Sequence, residues 1–264
     1  MVGKTIEEKI ADIQNLRPID DVFFEVLAGD KKVCEEILRV IFEDAALVVE
    51  DVITQSSERN FYGRSVRLDA LCILGNGARC NIEVQRSNND NHIKRVRFNA
   101  SNITVKDSQV GDKFENISEV YVVYISEFDI FKQGRTIYHE EPMLIETNTV
   151  IDNGLHVIYV NTAIDDGSTI ADLMNCFTKK EVNNPKFPEF SRRVTELKTT
   201  EGGVSAVCEI MEKYMDKSKA EGKVEGKIEA LKVLITQGVI DIDKAVDSAR
   251  EMKISEEEIK QLYN

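Results

Sequence analysis

Two carboxylates and an amide carry the chemistry that this residue pattern offers: Asp69, Glu83 and Gln85, all within the stretch from Arg67 to Arg86. The stretch reads as two alternating strands around Gly75-Asn76-Gly77. On the first arm Leu68, Ala70, Cys72 and Leu74 alternate with Arg67, Asp69, Leu71 and Ile73. On the second, Cys80, Ile82 and Val84 alternate with Arg79, Asn81, Glu83 and Gln85. A three-residue loop pairs Leu74 with Ala78 and sets Asp69 opposite Glu83. A two-residue Asn76-Gly77 turn is equally compatible with turn chemistry, and would send the carboxylates to opposite faces. The pattern favours the longer loop, which matches Leu68 with Val84 and Cys72 with Cys80 on one face. Two carboxylates that close repel each other, and a divalent cation relieves the repulsion. The spacing outlines a metal site; a hairpin with a half-exposed polar face is the bland alternative.

Asp69 followed by Glu83-Val84-Gln85 resembles the core of the PD-(D/E)XK nucleases, specifically their transposase-like recombination-promoting branch. The segments Pro18 to Phe24, Val120 to Ile125, Phe128-Asp129-Ile130-Phe131, Thr136-Ile137-Tyr138 and Gly154 to Asn161 resemble the same branch, as does the basic helix after Gln85. Together they extend over roughly residues 15–190. The resemblance implies an α/β fold: a restriction-endonuclease-like mixed central sheet flanked by helices. It also implies a metal-dependent DNA endonuclease that hydrolyses phosphodiester bonds, linked to recombination or mobile-element activity. Asp69 and Glu83 would then ligate Mg²⁺, with Mn²⁺ as a substitute and the backbone carbonyl of Val84 as a further ligand. Such a cation keeps several waters, lowers the pKa of one and stabilises charge on the scissile phosphate. Gln85 would be the third catalytic residue, where most of the superfamily has Lys. It can hydrogen-bond but brings no charge, and the branch resembled commonly has Gln there. Asp20 resembles the family's early acidic residue; it would either approach the metal site or cap a helix from Asp21 to Leu27. Glu25 and Glu36 are weaker candidates.

Charge adds to this. The chain has a formal net charge of −13, which repels a polyanion on average. Between Arg64 and Lys106, however, eight basic residues face three acidic ones, two of which are Asp69 and Glu83. Asn88 to Asp90 would cap a helix over about 91–101, with Ile93, Val96 and Ala100 near one face and Lys94, Arg95 and Arg97 elsewhere. Arg67, Arg86, Lys94, Arg95 and Arg97 are the candidate phosphate contacts. The family's arginine on this helix maps to Arg95 or to Arg97. His92 would line the same region as a surface histidine.

The elements that must position these groups follow from periodicity. Val33, Ile37, Leu38, Ile41 and Phe42 mark a helix against a sheet. Val48 to Thr54 reads as a first strand, and Val120 to Ser126 and Leu155 to Val160 as buried ones. Gly134 to Ile145 reads as a hairpin or connecting strand, and Ser168 to Phe177 as a helix capped by Ser168. Asn183 to Pro188 breaks structure, so residues 1–190 form the nuclease-like domain and 191–264 a helical extension. In that extension Lys219, Lys223 and Lys227 alternate with Glu221, Glu225 and Glu229 on a long helix that a partner chain would stabilise. Two short helices follow, Ile242 to Met252 and Glu256 to Tyr263, the second with a Ser255/Glu258 capping box. Their acidic start disfavours a DNA-reading helix-turn-helix. No run approaches a membrane span, and the polar start lacks a secretory leader. The five Cys form no Cys-x-x-Cys pair; they read as free thiols of a cytoplasmic protein rather than as a zinc site or disulfides. DNA is the expected partner, with a homodimer formed through the C-terminal helix. Two other readings fit the pattern: a DNA-binding protein of this fold that has lost turnover, and a homo-oligomeric protein-interaction module.

Overall fold

A computed structural model of the protein describes residues 6–58, 66–108, 110–111 and 113–263. Three helices lead the chain: α1 (Ile6–Asn15), α2 (Asp21–Ala28) and α3 (Lys31–Ile41). Strands β1 (Val49–Glu58), β2 (Val66–Leu74) and β3 (Arg79–Gln85) come next, then helix α4 (His92–Asp107) and strand β4 (Val120–Ser126). Strand β5 (Ile137–Glu140), the small pair β6 (Met143–Leu144) and β7 (Thr149–Val150), and strand β8 (Leu155–Asn161) follow. Helices α5 (Thr169–Phe177), α6 (Pro188–Thr199), α7 (Glu201–Thr236), α8 (Ile242–Glu251) and α9 (Glu256–Ile259) close the chain.

The β2–β3 hairpin has the three-residue loop. Leu74 N donates to Ala78 O at 2.9 Å and Gly77 N to Leu74 O at 2.8 Å. Gly77 takes φ +87, the left-handed conformation this loop needs and glycine adopts without strain. Cys72 pairs with Cys80 and Ala70 with Ile82. Six strands form one sheet in the order β1-β2-β3-β4-β8-β5, with β3, β4 and β8 parallel and the rest antiparallel. The carboxyl ends of the three parallel strands therefore share one edge, where Gln85, Ser126 and Asn161 align.

Both faces are covered. Val96, Ala100 and Ile103 of α4 pack over Leu71, Val122, Tyr124 and Tyr159. The next residue along β2, Cys72, faces the other way toward Cys34 of α3. On that side the rings of Phe24, Phe177 and Phe190 pack in sequence, tilted, at 6.1 Å and 5.1 Å. Truncating a fully buried Phe such as Phe177 would cost about 3–5 kcal/mol. The result is the mixed α/β sheet with flanking helices and a C-terminal helical region that the motifs implied.

Several boundaries move. Strand β1 continues to Glu58 because β2 offers partners as far as Val66. The basic helix begins at His92 and runs to Asp107, capped by the Asn91 side chain accepting from Lys94 N at 3.0 Å rather than by Asn88 to Asp90. The expected edge between 190 and 191 falls inside α6, whose Phe190, Val194 and Leu197 are buried. The first compact unit extends to Cys208 and the second runs from Glu209. Gly203 marks where α7 leaves α6: a Cβ there would lie 2.3 Å from Glu196 O. In the second unit Ile228 and Leu231 bury against Val246, Ala249, Ile254 and Leu262. Asp241 caps α8, and Ser255 and Glu258 form the expected capping box.

Candidate active site

Asp69 lies in β2 and Glu83 in β3, and the hairpin register, continued one step past Ala70 and Ile82, sets them opposite. Asp69 Oδ2 accepts from Val84 N at 3.0 Å, so its side chain serves a main-chain donor just beyond the Ala70–Ile82 pair. Arg79 N and Gln85 O bond toward β4, so by alternation the amide and carbonyl of Val84 face the Asp69 side.

Glu83 is fully buried. Its Oε1 accepts from Asn81 Nδ2 at 3.0 Å, while Oε2 has no hydrogen-bond partner among the described residues and faces the Arg95 guanidinium at 3.5 Å. Burial first, then the Asp69 charge, push the Glu83 carboxyl up to about 8, against the pull of Asn81 and Arg95. A buried carboxylate oxygen without a hydrogen bond lacks a partner that a cation supplies. Among the described residues no three His, Cys, Asp or Glu side chains converge on a metal position. Two carboxylates and a main-chain carbonyl remain, an all-oxygen set that fits a hard divalent cation retaining much of its water.

Gln85 has both ends of its amide engaged. Oε1 accepts from Arg95 at 2.9 Å and Nε2 donates to Ser87 O at 2.7 Å. Arg95 thus spans Glu83 and Gln85 and stays about one-third exposed. Lys94 and Arg97 point outward, exposed. Of Arg67 only the backbone in β2 is described, and Arg64 lies outside the described residues.

Arg86, just past the end of β3, pairs with Asp20. Asp20 occupies the N-cap position of α2 but makes no side-chain cap. Its carboxylate instead takes Arg17 N at 2.6 Å and Arg86 at 2.9 Å. Glu127 completes the group, pairing with Arg17 at 2.5 Å and lying 3.7 Å from Arg86. The basic segment is less concentrated than its count implies, because Arg79 stands at the far end of β3, paired with Asp107 at 2.7 Å.

Other candidates resolve into support. His92 is buried rather than on the surface; its ring nitrogens meet Tyr124 OH at 2.9 Å and Asn88 Oδ1 at 3.1 Å. Burial lowers its pKa. Glu36 accepts from Glu189 N at 3.2 Å and Phe190 N at 2.7 Å, and so caps α6. Glu25 is buried within α2. Sequence reasoning passed over Asn81, although it shares a face with Glu83 two residues away. It also passed over Asp21, whose first-turn carboxyl is raised by desolvation against the pull of Arg86 and Arg95. Nothing local marks Glu127.

Cavities of 580 Å³ and 510 Å³ lie near the hairpin turn and the start of β4, remote from the carboxylates. The carboxylate pair sits instead at the carboxyl-end edge of the sheet. Among the described residues no helix is long and apolar enough to cross a membrane. No curated protein and no solved structure matches the chain. Residues 20–164 match the family described as PD-(D/E)XK nuclease family transposase, and that span contains Asp20, Asp69, Glu83 and Gln85. With more than half of its length matched, the chain belongs to the PD-(D/E)XK nuclease family transposases.

Proposed function

We propose that the protein is a Mg²⁺-dependent endonuclease that hydrolyses phosphodiester bonds of DNA, with Mn²⁺ able to substitute. The observation that carries this reading is Glu83: fully buried beside Asp69, with one carboxylate oxygen lacking a hydrogen bond among the described residues. Asp69, Glu83 and the Val84 carbonyl would hold the cation, which supplies an acidified water and charge stabilisation at the phosphate. Asn81 holds one oxygen of Glu83, and Val84 N holds Asp69. Arg95, anchored at Glu83 and Gln85, directs its remaining N–H donors toward a phosphate oxygen. Gln85 positions Arg95 and orients the attacking water without adding charge. Arg67, Arg86, Lys94 and Arg97 would contact flanking phosphates.

A role in recombination or element mobility accords with the family. A homodimer through the exposed charged part of α7 would bring two sites to one duplex. Five free thiols suit a reducing, cytoplasmic setting. A second reading, DNA binding without cleavage, draws on Gln85 standing where the superfamily has Lys. Supercoiled plasmid incubated with wild type or Asp69→Ala, in Mg²⁺, Mn²⁺ or EDTA, separates the two. Metal-dependent nicking lost in a folded variant supports the nuclease; plasmid binding without nicking supports the second reading.

A further inference from the structure

We propose that the loop from Phe128 to Arg135 is a second, prefolded phosphate-binding element, with Lys132 and Arg135 gripping the DNA backbone beside the scissile bond. The inference rests on the DNA reading above.

The loop leaves the carboxyl end of β4, on the edge that carries Gln85. Glu127 N donates to Gln85 O at 2.9 Å, and the Phe128 ring lies 4.9 Å from His92. At its other end, Arg135 O accepts from Asn161 Nδ2 at 2.7 Å, at the carboxyl end of β8. Gln85 and Asn161 share one height, two strands apart. At about 4.8 Å per strand the offset is about 10 Å, or about three base-pair steps measured along the duplex axis.

One carboxylate sets the loop's shape. Asp129 accepts from Phe131 N at 3.1 Å, Lys132 N at 2.9 Å, Gly134 N at 2.8 Å and Tyr138 OH at 2.9 Å. These bonds outweigh desolvation and hold its pKa below the usual carboxylate value. Tyr138 OH in turn accepts from Gln133 N and Arg135 N, each at 3.2 Å. Lys132 is kept at φ +54, a left-handed conformation that Lys avoids without such restraint. Phe131 anchors the loop edge-on against Tyr159 at 5.0 Å.

The carboxylate in the loop is thus spent on main-chain donors and Tyr138. Lys132 and Arg135 are exposed, and among the described residues neither makes an ion pair. Asp166, which lines the same hollow as Arg135, turns to Ser168 N at 3.0 Å. A rigid loop with two uncommitted cations loses little conformational freedom on gripping a polyanion.

The test is fluorescence anisotropy of the full chain on labelled duplex DNA across a salt series. The proteins are wild type, Lys132→Ala/Arg135→Ala and Asp129→Ala, each checked by thermal melting. The double variant should bind about tenfold more weakly, with the salt slope shallower by about 2. Asp129→Ala removes a negative charge, so plain electrostatics predicts tighter binding, whereas an ordered loop predicts weaker binding. Wild-type binding with unchanged affinity and slope in the double variant overturns this inference and leaves the nuclease reading intact. Absence of wild-type binding at low salt overturns both.

Discussion

Asp69 Oδ2 lies 3.0 Å from the Val84 main-chain nitrogen, so the first carboxylate is tied to the strand that carries the second. The distance between the two acids is set by the hairpin itself, not by a loop. Asp69→Asn keeps an oxygen able to accept that bond while removing the charge. It should fold like the wild type and lose metal-dependent nicking by about two to three orders of magnitude, as expected for losing several kcal/mol of metal-derived stabilisation. Plasmid nicking measured beside melting curves checks both; a variant that nicks at the wild-type rate refutes the assignment.

Burial and Asp69 give Glu83 a folded pKa of about 8, above its ordinary 4.5. Its contribution to metal-free stability is therefore fully present below about 4.5 and is lost as pH rises through about 8. Glu83→Gln cannot ionise and should hold its melting temperature where the wild type declines. Metal affinity runs the other way: a cation must displace the proton, so Mn²⁺ should bind more tightly as pH climbs toward about 8 and level off beyond. Calorimetric melting and Mn²⁺ titration across that window test the two signs independently.

Gln85→Lys would install the residue usual in the superfamily, yet it should not raise activity here. Arg95 already donates to Gln85 Oε1 at 2.9 Å, and a lysine ammonium there would lose that bond and face a guanidinium. Weaker cleavage and a lower melting temperature are expected; faster cleavage would show that Gln85 is a deficit rather than a partner of Arg95.

Lys198 makes a stability prediction far from the chemistry. Its ammonium donates to Leu16 O at 2.6 Å, to Gln14 O at 3.2 Å and to Lys180 O, joining α1, α6 and the segment after α5. Lys198→Met leaves those carbonyls short of a donor and should cost about 2–4 kcal/mol in denaturant unfolding, with cleavage of folded protein unchanged.

What could be read from the chain was local. Alternation plus Gly77 gave the hairpin register, an unbroken Val/Ile/Tyr run gave β4 its bounds, and Ser168 and Ser255 announced the helices they cap. What could not be read depends on contacts remote in sequence. Asp20 reads from its neighbours as a metal-site acid or a helix cap, but Arg86 binds it from the end of another strand. Glu36 looked like a candidate acid because nothing near it reveals that α6 begins at its tip. His92 looked exposed because Tyr124 and Phe128, which enclose it, follow a whole helix later.

Arg17, Asp20, Arg86 and Glu127 pair two positive with two negative groups. Seen from a Debye length away such a quartet is nearly silent, and it adds little to the rate at which a polyanion arrives. Arg86 meets a phosphate only when that phosphate takes the place of a carboxylate beside it, an exchange open to a strand already seated by other contacts. Arg86 would then govern residence time rather than encounter, favouring DNA that fits over DNA that merely collides.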